Sequence, residues 1–527
     1  MFKKIIRRKH FRTLLAQLRG AKKLKEQGTP FFVVDTVSNL TEVSLGLQKK
    51  DFPKVLVGSH GSIAEILLRQ ILLKYYYTIC PAVMQSIGSG KPLSIPLPST
   101  WRKHLADNGV ASSTFYCRVR LFLLTLRQIA VGFTQSVILL FPARKPRYPG
   151  CPYVVFADLV QKNLPAPKDK KSDDIISWYK ESIIRKPDIG KIWAQAKVGK
   201  EYAAPDDLVV VRSIFPKLGS LIRYVRFFFS NALALFVSVF GVLMGKWWYG
   251  FLYHESVFFN YLCLINTNQL ADDYFLSISS WFYKPLWAHE AEQRELSVSL
   301  YCYSVNMGEP FRNENKEPDT YGTNIMSWNK FIVWNREQED YFKQYCPNAI
   351  YTQVGSIDST GIEYKSFSSN RKKVISIFDV TPKRPVFFTS QGYAFPTYYS
   401  EKLNLKFLST IINVFNDDDW EILWKPKRTV EKEVVSNRFK EKQKNLVFGF
   451  ITKVDPNISA RSLIKVSDAV ISMPFTSTAL IGKELGVSTI FYDASGEVRK
   501  KRYHGIPVLK NNDELKDWYH LLNNNKA

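Results

Sequence analysis

The sequence is poor in cysteine and lacks the residue spacings that mark the common metal and nucleotide sites. Its 527 residues include six cysteines, none in a CxxC pair, which excludes a disulfide-stapled scaffold and a zinc ribbon. The seven histidines form no HExxH motif, and neither a Walker A loop nor a GxSxG turn is present. We therefore expect reduced thiols in a cytosolic setting, no metal site and no cofactor.

Acidic residues are also scarce. The chain has 47 Asp and Glu against 73 Lys and Arg, a formal net charge of +26. Such an excess favours an acidic partner, which can be a nucleic acid, an anionic membrane face or a phosphate-bearing substrate. No recognisable nucleic-acid module accompanies the charge, so we expect no nucleic-acid partner. Residues 1–27 are basic without a following apolar core, which is typical of an amphipathic helix and not of a secretory signal.

One long uncharged run interrupts a sequence of otherwise globular composition. Residues 227–245 contain no charge and are long enough to span a bilayer as a helix. Arg223 and Arg226 precede the run, and aromatic residues at 247–249 follow it, as is common at a membrane interface. A second, shorter apolar stretch occupies residues 128–143.

The interval between these two apolar stretches is rich in Lys and Arg, which opposes its export across a membrane. We therefore expect the run 227–245 to dip into the cytoplasmic membrane leaflet. A helix buried inside the protein and a true membrane span are the alternatives. This interpretation predicts a cytoplasmic protein that is peripheral or monotopic on the inner membrane.

Strand-like and helix-like segments alternate along most of the chain, which predicts an α/β fold with largely parallel sheets. Two early strands are predicted at 31–35 and 54–59, and a Pro-rich, Gly-rich and basic linker at 142–152. The predicted parts are a basic, partly helical N-terminal region (1–145), a first Rossmann-like domain (146–365) and a second Rossmann-like domain (366–527).

The strongest local pattern lies between two predicted strands, in residues 468–493. Pro474 and Phe475 turn the chain after the first strand, and Thr476, Ser477 and Thr478 follow at the start of a helix. In a parallel sheet, this arrangement places hydroxyls and unpaired N–H groups at the carboxyl edge of the strands, where they suit a phosphate. Ordinary helix capping by a hydroxyl is the alternative.

A basic turn follows another strand of the same predicted domain. Lys425, Lys427 and Arg428 stand around Pro426, and three cations within four residues repel one another unless an anion neutralises them. A solvated turn is the alternative for this segment alone. Together with the hydroxyl-bearing loop, it predicts a nucleotide phosphate site. The GSHGS turn at 58–62 is a weaker anion candidate, for which a structural turn is favoured.

The segment IKVSDAVISMPFTSTALIGKELGVSTIFYD, with the supporting stretches LWKPKR, 286–306 and 331–342, resembles the signature of the bacterial polysaccharide biosynthesis PFTS-motif family. The similarity covers about residues 250–520. That family is similar to GT-B glycosyltransferases. The resemblance implies a GT-B-like α/β fold, with two Rossmann-like domains that face a cleft, and a metal-independent glycosyltransferase of surface polysaccharide biosynthesis.

The resemblance also implies how a donor is bound. Lys425-Pro426 stands where related sialyl-, polysialyl- and Kdo-type transferases carry an HP motif, and Thr476-Ser477-Thr478 stands where they carry a hydroxyl motif. This correspondence favours a CMP-sugar as the nucleotide-sugar donor. Because Lys replaces His, a UDP- or GDP-sugar is the alternative.

An inverting transferase needs a base that takes the proton of the acceptor hydroxyl. We expect it from the first domain and choose Glu290, with His289 as a lesser candidate, over Glu292 and the pair Asp272 and Asp273. Glu290 and Glu292 face apart on a helix, so only one can line a cleft. Residues 417–419 (DDD) are expected to form a solvated turn and not a metal-binding DxD motif.

Three functions remain open at this point. The first is transfer of a sugar to a lipid-linked or growing glycan acceptor at the membrane. The second is a CDP-polyol phosphotransferase of the teichoic type, which would share the fold and differ in its product. The third is a non-catalytic protein that binds a polyanion or a membrane.

Overall fold

The computed structural model describes residues 2–74, 76–141, 146–166, 174–277, 283–305, 322–357, 363–364, 372–394, 399–416, 419–427 and 435–524. These residues form a helical N-terminal region followed by two α/β domains. Arg428, Asp417, Asp418 and the linker residues 142–145 lie outside the described part.

The described residues of the N-terminal region form seven α-helices. They are α1 (Phe2–Glu26), α2 (Phe32–Ser38), α3 (Lys54–Val57), α4 (Ala64–Leu73), α5 (Tyr76–Ser89), α6 (Ser99–Asp107) and α7 (Thr114–Leu140). Helices α1 and α5 touch at two glycines: a Cβ added at Gly88 would lie 1.8 Å from the Ala16 carbonyl oxygen, and one at Gly20 would lie 2.2 Å from that of Met84. Only glycine permits this backbone contact.

The strand predictions at 31–35 and 54–59 are wrong. The first segment runs into α2, whose Val33, Val34 and Val37 are buried against neighbouring helices. The second forms α3, which begins after Pro53 and ends at Gly58, where φ is +56°. Both segments are too short to show a period, and helix packing overrides the strand preference of their β-branched residues.

The first α/β domain contains a seven-stranded sheet of order β3-β2-β1-β4-β5-β6-β7 with every neighbouring pair parallel. Its strands are β1 (Tyr153–Val160), β2 (Lys191–Lys197), β3 (Leu208–Val211), β4 (Asp273–Ser277), β5 (Ser297–Tyr301), β6 (Lys330–Val333) and β7 (Ile350–Gln353). Its helices are α8 (Ile175–Glu181), α9 (Leu221–Leu243), α10 (Trp248–Cys263), α11 (Leu286–Gln293) and α12 (Arg336–Lys343).

The described residues of the second α/β domain form another seven-stranded sheet, of order β10-β9-β8-β11-β12-β14-β13, in which β13 and β14 pair antiparallel and the other neighbouring pairs are parallel. Its strands are β8 (Lys373–Phe378), β9 (Trp420–Lys425), β10 (Thr452–Lys453), β11 (Ala469–Ser472), β12 (Ser488–Tyr492), β13 (Arg502–Tyr503) and β14 (Ile506–Leu509). Its helices are α13 (Pro385–Ser390), α14 (Glu401–Val414), α15 (Asn437–Val447), α16 (Ala460–Lys465), α17 (Ser477–Glu484) and α18 (Asn512–Asn524).

The two strand orders confirm the predicted α/β fold with two Rossmann-like domains. The carboxyl edge of the first sheet meets the second domain. The Tyr503 hydroxyl donates to the Val305 carbonyl oxygen (3.4 Å), and Asn335 Nδ2 lies 3.0 Å from His504 Nδ1. Val305 follows β5 and Asn335 follows β6, so both contacts lie where strands of the first sheet end.

The helical region contacts both α/β domains. The Ala394 N–H donates to the Pro30 carbonyl oxygen (3.1 Å), which joins α13 of the second domain to the segment between α1 and α2. The Lys284 N–H donates to Gln70 Oε1 (3.1 Å), which joins α4 to the loop before α11 in the first domain. The region is therefore part of the same packed unit.

The contact between α1 and α5 provides a stability test. Gly88→Ala forces a Cβ against the Ala16 carbonyl, so we expect a loss of about 1–3 kcal/mol of unfolding free energy, measured by chemical denaturation. Gln85→Ala on the same helix is the control. Equal stability of the Gly88→Ala variant and the parent would contradict the close helix contact.

Candidate active site

The loop after β11 has a strained backbone that is held by aromatic packing. The chain leaves β11 at Ser472, turns through Pro474 and Phe475, and enters α17 at Ser477. Phe475 has φ +64°, a left-handed conformation that is rare for a bulky residue. Its ring centroid lies 4.1 Å from that of Tyr503. Packing of this kind can offset backbone strain, which is often found at functional sites.

Hydroxyl groups line the start of α17. Thr476 Oγ1 donates to the Met473 carbonyl oxygen (3.0 Å) and lies 3.2 Å from Thr478 Oγ1, which in turn lies 3.0 Å from Ser472 Oγ. The Thr476 side chain makes no capping hydrogen bond to the helix. Ordinary capping by this residue is therefore not what the structure shows.

Ser477 and the first amides of α17 are open to a ligand. Within the described part of the chain, no hydrogen-bond partner is assigned to the Ser477 hydroxyl or to the N–H groups of Ser477 and Thr478. Ser477 and Thr478 are half-buried, and Thr476 and Pro474 are buried. Unpaired amides at a helix start attract an anion, because the helix dipole adds a partial positive charge there.

Asp379 connects the hydroxyl-bearing loop to the basic turn. It follows β8, the strand that lies between β9 and β11. Its carboxylate accepts hydrogen bonds from the Lys427 N–H (3.1 Å) and from Asn404 Nδ2 (3.0 Å). The next residue, Val380, donates its N–H to Met473 Sδ (3.4 Å). The loops after β8, β9 and β11 therefore meet at one edge of the sheet.

Asp379 is fully enclosed, and burial raises its pKa to about 6, against the opposing effect of its hydrogen bonds. Sequence reasoning missed this residue. An acidic residue directly after a predicted buried strand, at the same edge as the basic turn, was the available signal.

The residues of the basic turn differ from one another in exposure. The Lys425 side chain is only 6% exposed at the end of β9, and Pro426 is buried. Lys427 is exposed. Two strand spacings, about 10 Å, separate the ends of β9 and β11. The structure thus brings residues 425–427 and 474–478 to one sheet edge.

The predicted base, Glu290, is engaged by other side chains. Its Oε2 lies 3.0 Å from His60 Nε2, and its Oε1 accepts a hydrogen bond from Arg294 Nε (2.8 Å). Burial raises the pKa of Glu290, but the hydrogen bonds from His60 and Arg294 outweigh it, and the pKa falls below its usual value. A lowered pKa makes the carboxylate a weaker base. The GSHGS turn, a weaker anion candidate in the sequence, thus contacts the Glu290 carboxylate of the protein itself through His60.

The neighbouring candidates are also parts of structural networks. Burial, with the Lys284 charge, lowers the pKa of His289 to about 2, so its imidazole is neutral. Glu292 forms an ion pair with the buried Lys284 and accepts a hydrogen bond from Asn329 (2.6 Å). Asp273 begins β4 at the opposite edge of the sheet and pairs with Lys186 (2.8 Å). The roles predicted for Glu290 and His289 stay predictions.

The fold and this loop together define an α/β protein with two Rossmann-like domains and a group of hydroxyl and N–H donors at the start of α17. The model of the family described as "Polysaccharide biosynthesis PFTS motif protein" matches residues 230–519, more than half of the chain. The chain belongs to this family, which confirms the resemblance. None of the curated proteins compared with the chain matches it.

Solved structures with a similar chain arrangement include three of low sequence identity. The wall teichoic acid polymerase TagF with CDPG has 12% identity and a TM-score of 0.36, over 77% of this chain and 89% of that one. The trehalose 6-phosphate synthase of Burkholderia multivorans has 9% and 0.35, over 71% and 88%. MnaA of S. aureus with UDP has 8% and 0.33, over 70% and 87%. At this level of similarity they say nothing about activity.

The raised pKa of Asp379 predicts a pH-dependent stability. The neutral acid stabilises the fold at low pH, and that contribution is lost as pH rises from about 4 through about 6, because the unfolded chain ionises first. The difference in unfolding free energy between the parent and the Asp379→Asn variant should therefore decrease by at most about 3 kcal/mol over this range. Chemical denaturation across pH measures it, with the exposed Asp517→Asn as control. A constant difference would refute the prediction.

Proposed function

We propose that the protein is a glycosyltransferase of bacterial surface polysaccharide biosynthesis. It would transfer a sugar from a nucleotide-sugar donor, with a CMP-sugar favoured, to a lipid-linked or growing glycan acceptor. The observation that carries this proposal is the group of open donors at the start of α17, formed by the Ser477 hydroxyl and the N–H groups of Ser477 and Thr478. Membership of a polysaccharide biosynthesis family supports it.

In this proposal the donor phosphate lies at the start of α17. As the bond from the anomeric carbon to the phosphate oxygen breaks, negative charge builds up on the phosphate. The two amides, the Ser477 hydroxyl and the positive end of the helix dipole stabilise that charge without having to reorganise. The exposed Lys427, one loop away, adds a cation. We also propose that these protein groups hold the phosphate without a metal ion.

A thermal shift comparison of CMP, CDP, UDP and GDP tests the donor site. A nucleotide that binds only the folded protein raises its melting temperature, and CMP should do so most strongly. Ser477→Ala removes a hydrogen bond to a charged group, worth about 1.5–3 kcal/mol, so nucleotide affinity should drop roughly 10- to 100-fold. Ser409→Ala on α14 makes the same chemical change away from the loop and should bind normally.

The alternative functions give different results in that comparison. A preference for CDP would favour a CDP-polyol phosphotransferase of the teichoic type. No response to any nucleotide, with tight binding of a polyanion, would contradict the transferase and favour the non-catalytic alternative.

We further propose that the protein docks on the cytoplasmic membrane leaflet through α7 and α9. Both helices are long and apolar enough to cross a membrane, yet only 28% and 33% of their apolar windows are buried. This is far too exposed for a helix inside the protein. The α7–α9 face, as we call it, is the exposed apolar side of both helices: Phe115, Phe122, Leu123, Leu126, Phe133, Phe228, Phe229, Leu233, Phe236, Phe240 and Leu243.

The opposite side of each helix is packed along its whole length. Buried residues of α9 run from Phe227 through Ala234 to Val242, and those of α7 run from Cys117 to Leu139. Neither helix therefore leaves the protein as a bare span. Arg127 is exposed near the middle of α7, where the centre of a bilayer would oppose a charge. A position in the interface, with the arginines at anionic headgroups, satisfies both features.

Two substitutions test this docking. Phe236→Asp with Phe240→Asp places charges on side chains that are 69% and 58% exposed, so the fold should persist. Burial of each Phe contributes about 1.5–3 kcal/mol, so co-sedimentation with phosphatidylglycerol vesicles should fall more than tenfold. Phe448→Asp, at an exposed Phe of the second domain, is the matched control. Unchanged sedimentation of the double variant would refute the proposal.

A further inference from the structure

Asp158 has an unusual backbone conformation near the end of β1. Its φ is +57°, and the pairing of β1 with β2 shifts register between Phe156 and Leu159. The Asp158 N–H donates to the side-chain Oε1 of Gln195 on β2 (3.1 Å) and not to a backbone carbonyl of that strand. Bulges of this kind re-aim a side chain, and here Asp158 is exposed between the buried Ala157 and Leu159.

Strand register places Asp158 at the carboxyl edge of the first sheet. Phe156 pairs with Phe275 of β4, and beyond the bulge Leu159 pairs with Ala196 of β2, so Asp158 lies within the bulge just before the level of Ser277, the last residue of β4. Ser277 pairs with Tyr301, the last residue of β5. Asp158, Ser277 and Tyr301 therefore all lie near the carboxyl ends of three adjacent strands.

These strand ends belong to the edge that meets the second α/β domain. Val305, four residues after Tyr301, accepts the hydrogen bond from Tyr503, and the Tyr503 ring packs on Phe475 of the candidate phosphate loop. Asp158 lies two strands from β5, about 10 Å along the same edge.

The surroundings of the Asp158 carboxylate differ from those of the Glu255 carboxylate in the same domain. Glu255, by contrast, is buried, accepts the Leu286 N–H (3.1 Å) at the start of α11, and accepts the Tyr283 hydroxyl (3.4 Å). Among the described residues, no hydrogen bond or ion pair to the Asp158 carboxylate is present.

A cation and an aromatic ring lie within electrostatic reach of Asp158. The Lys74 ammonium sits 3.2 Å from the centroid of the Tyr283 ring. Burial lowers the pKa of Lys74 to about 8, while the charges of Glu255 and Asp158 act in the opposite direction. The surroundings thus combine an exposed carboxylate with an ammonium group, and both are groups that bind sugar hydroxyls.

We propose that Asp158, and not Glu290, is the catalytic base of the transfer. This rests on the proposed function. The acceptor hydroxyl oxygen forms a bond to the anomeric carbon of the donor, and the bond from that carbon to the nucleotide phosphate breaks. The electron pair leaves with the nucleotide at the start of α17, and the hydroxyl proton passes to the Asp158 carboxylate.

Asp158→Asn tests the base directly. Asn tolerates a left-handed φ as Asp does, so melting temperature should be unchanged. We expect kcat to fall 100- to 10,000-fold, with nucleotide affinity in the thermal shift assay preserved. The assay follows nucleotide release from CMP-, UDP- and GDP-sugars in the presence of a membrane glycolipid extract. Asp206→Asn, an exposed carboxylate of the same domain, is the matched control.

A second variant separates catalysis from structure. Asp158→Gly removes the side chain at a backbone conformation that glycine adopts freely, and added formate should restore part of its kcat, which a structural role would not allow. A near-normal kcat of the Asp158→Asn variant, in a protein that still binds nucleotide, would refute Asp158 as the catalytic base without contradicting the proposed function. A parent protein that binds no nucleotide and releases none would overturn both.

Discussion

The contact between the carboxyl edges of the two sheets is the constraint on which the candidate site depends. Tyr503 contributes two groups to this contact: its ring packs on Phe475, and its hydroxyl donates to the Val305 carbonyl oxygen in the other domain. Because the strands in each sheet are almost all parallel, the loops that follow them gather at one edge. The contacts at Tyr503 and at His504 bring those two loop sets together.

The carboxylates of the first domain show that residue type does not reveal role. Glu290 is held by His60 and Arg294, and Arg294 also donates to the last carbonyls of α10 at Leu262 and Cys263. These bonds tie α11, α10 and the helical region together, so ionised Glu290 stabilises packing. Asp158 has no such bonds. The difference lies in which neighbours the fold supplies, and no local sequence pattern carries that information.

The parts of the molecule that could be predicted are those encoded locally. The two sheets follow from alternating strand and helix patterns, and the loop at 474–478 follows from a turn between a strand and a helix. The segments at 31–35 and 54–59 were too short to distinguish strand from helix. Asp158 could not be assigned because its exposure depends on register with β2. A lone Asp within the apolar run YVVFADLV was the only local sign.

The second apolar helix was hidden for a related reason. Arginines at 118, 120 and 127 break the apolar run of α7, so only its last part stands out in the sequence. In the folded helix these charges share the exposed surface with Phe115 and Phe122, while a separate face packs inward. A mixture of charge and apolar surface suits a membrane interface better than its hydrocarbon centre. This mixed surface of α7 can be recognised only when the exposed and the buried faces of the helix are known.

The α7–α9 face and the Asp158 edge belong to the same packed part of the molecule. Helices α7 and α9 both pack on α10, where Gly132 and Gly250 allow close approach to Tyr253 and Thr125. Helix α10 in turn supplies Glu255, which binds the start of α11 beside Tyr283. A surface that docks on lipid is therefore joined through one helix to the edge proposed to receive the acceptor. An acceptor anchored in the same membrane would reach that edge at a fixed distance from the lipid surface. The loop at 474–478, which belongs to the second domain, would lie on the other side of the contact between the two domains.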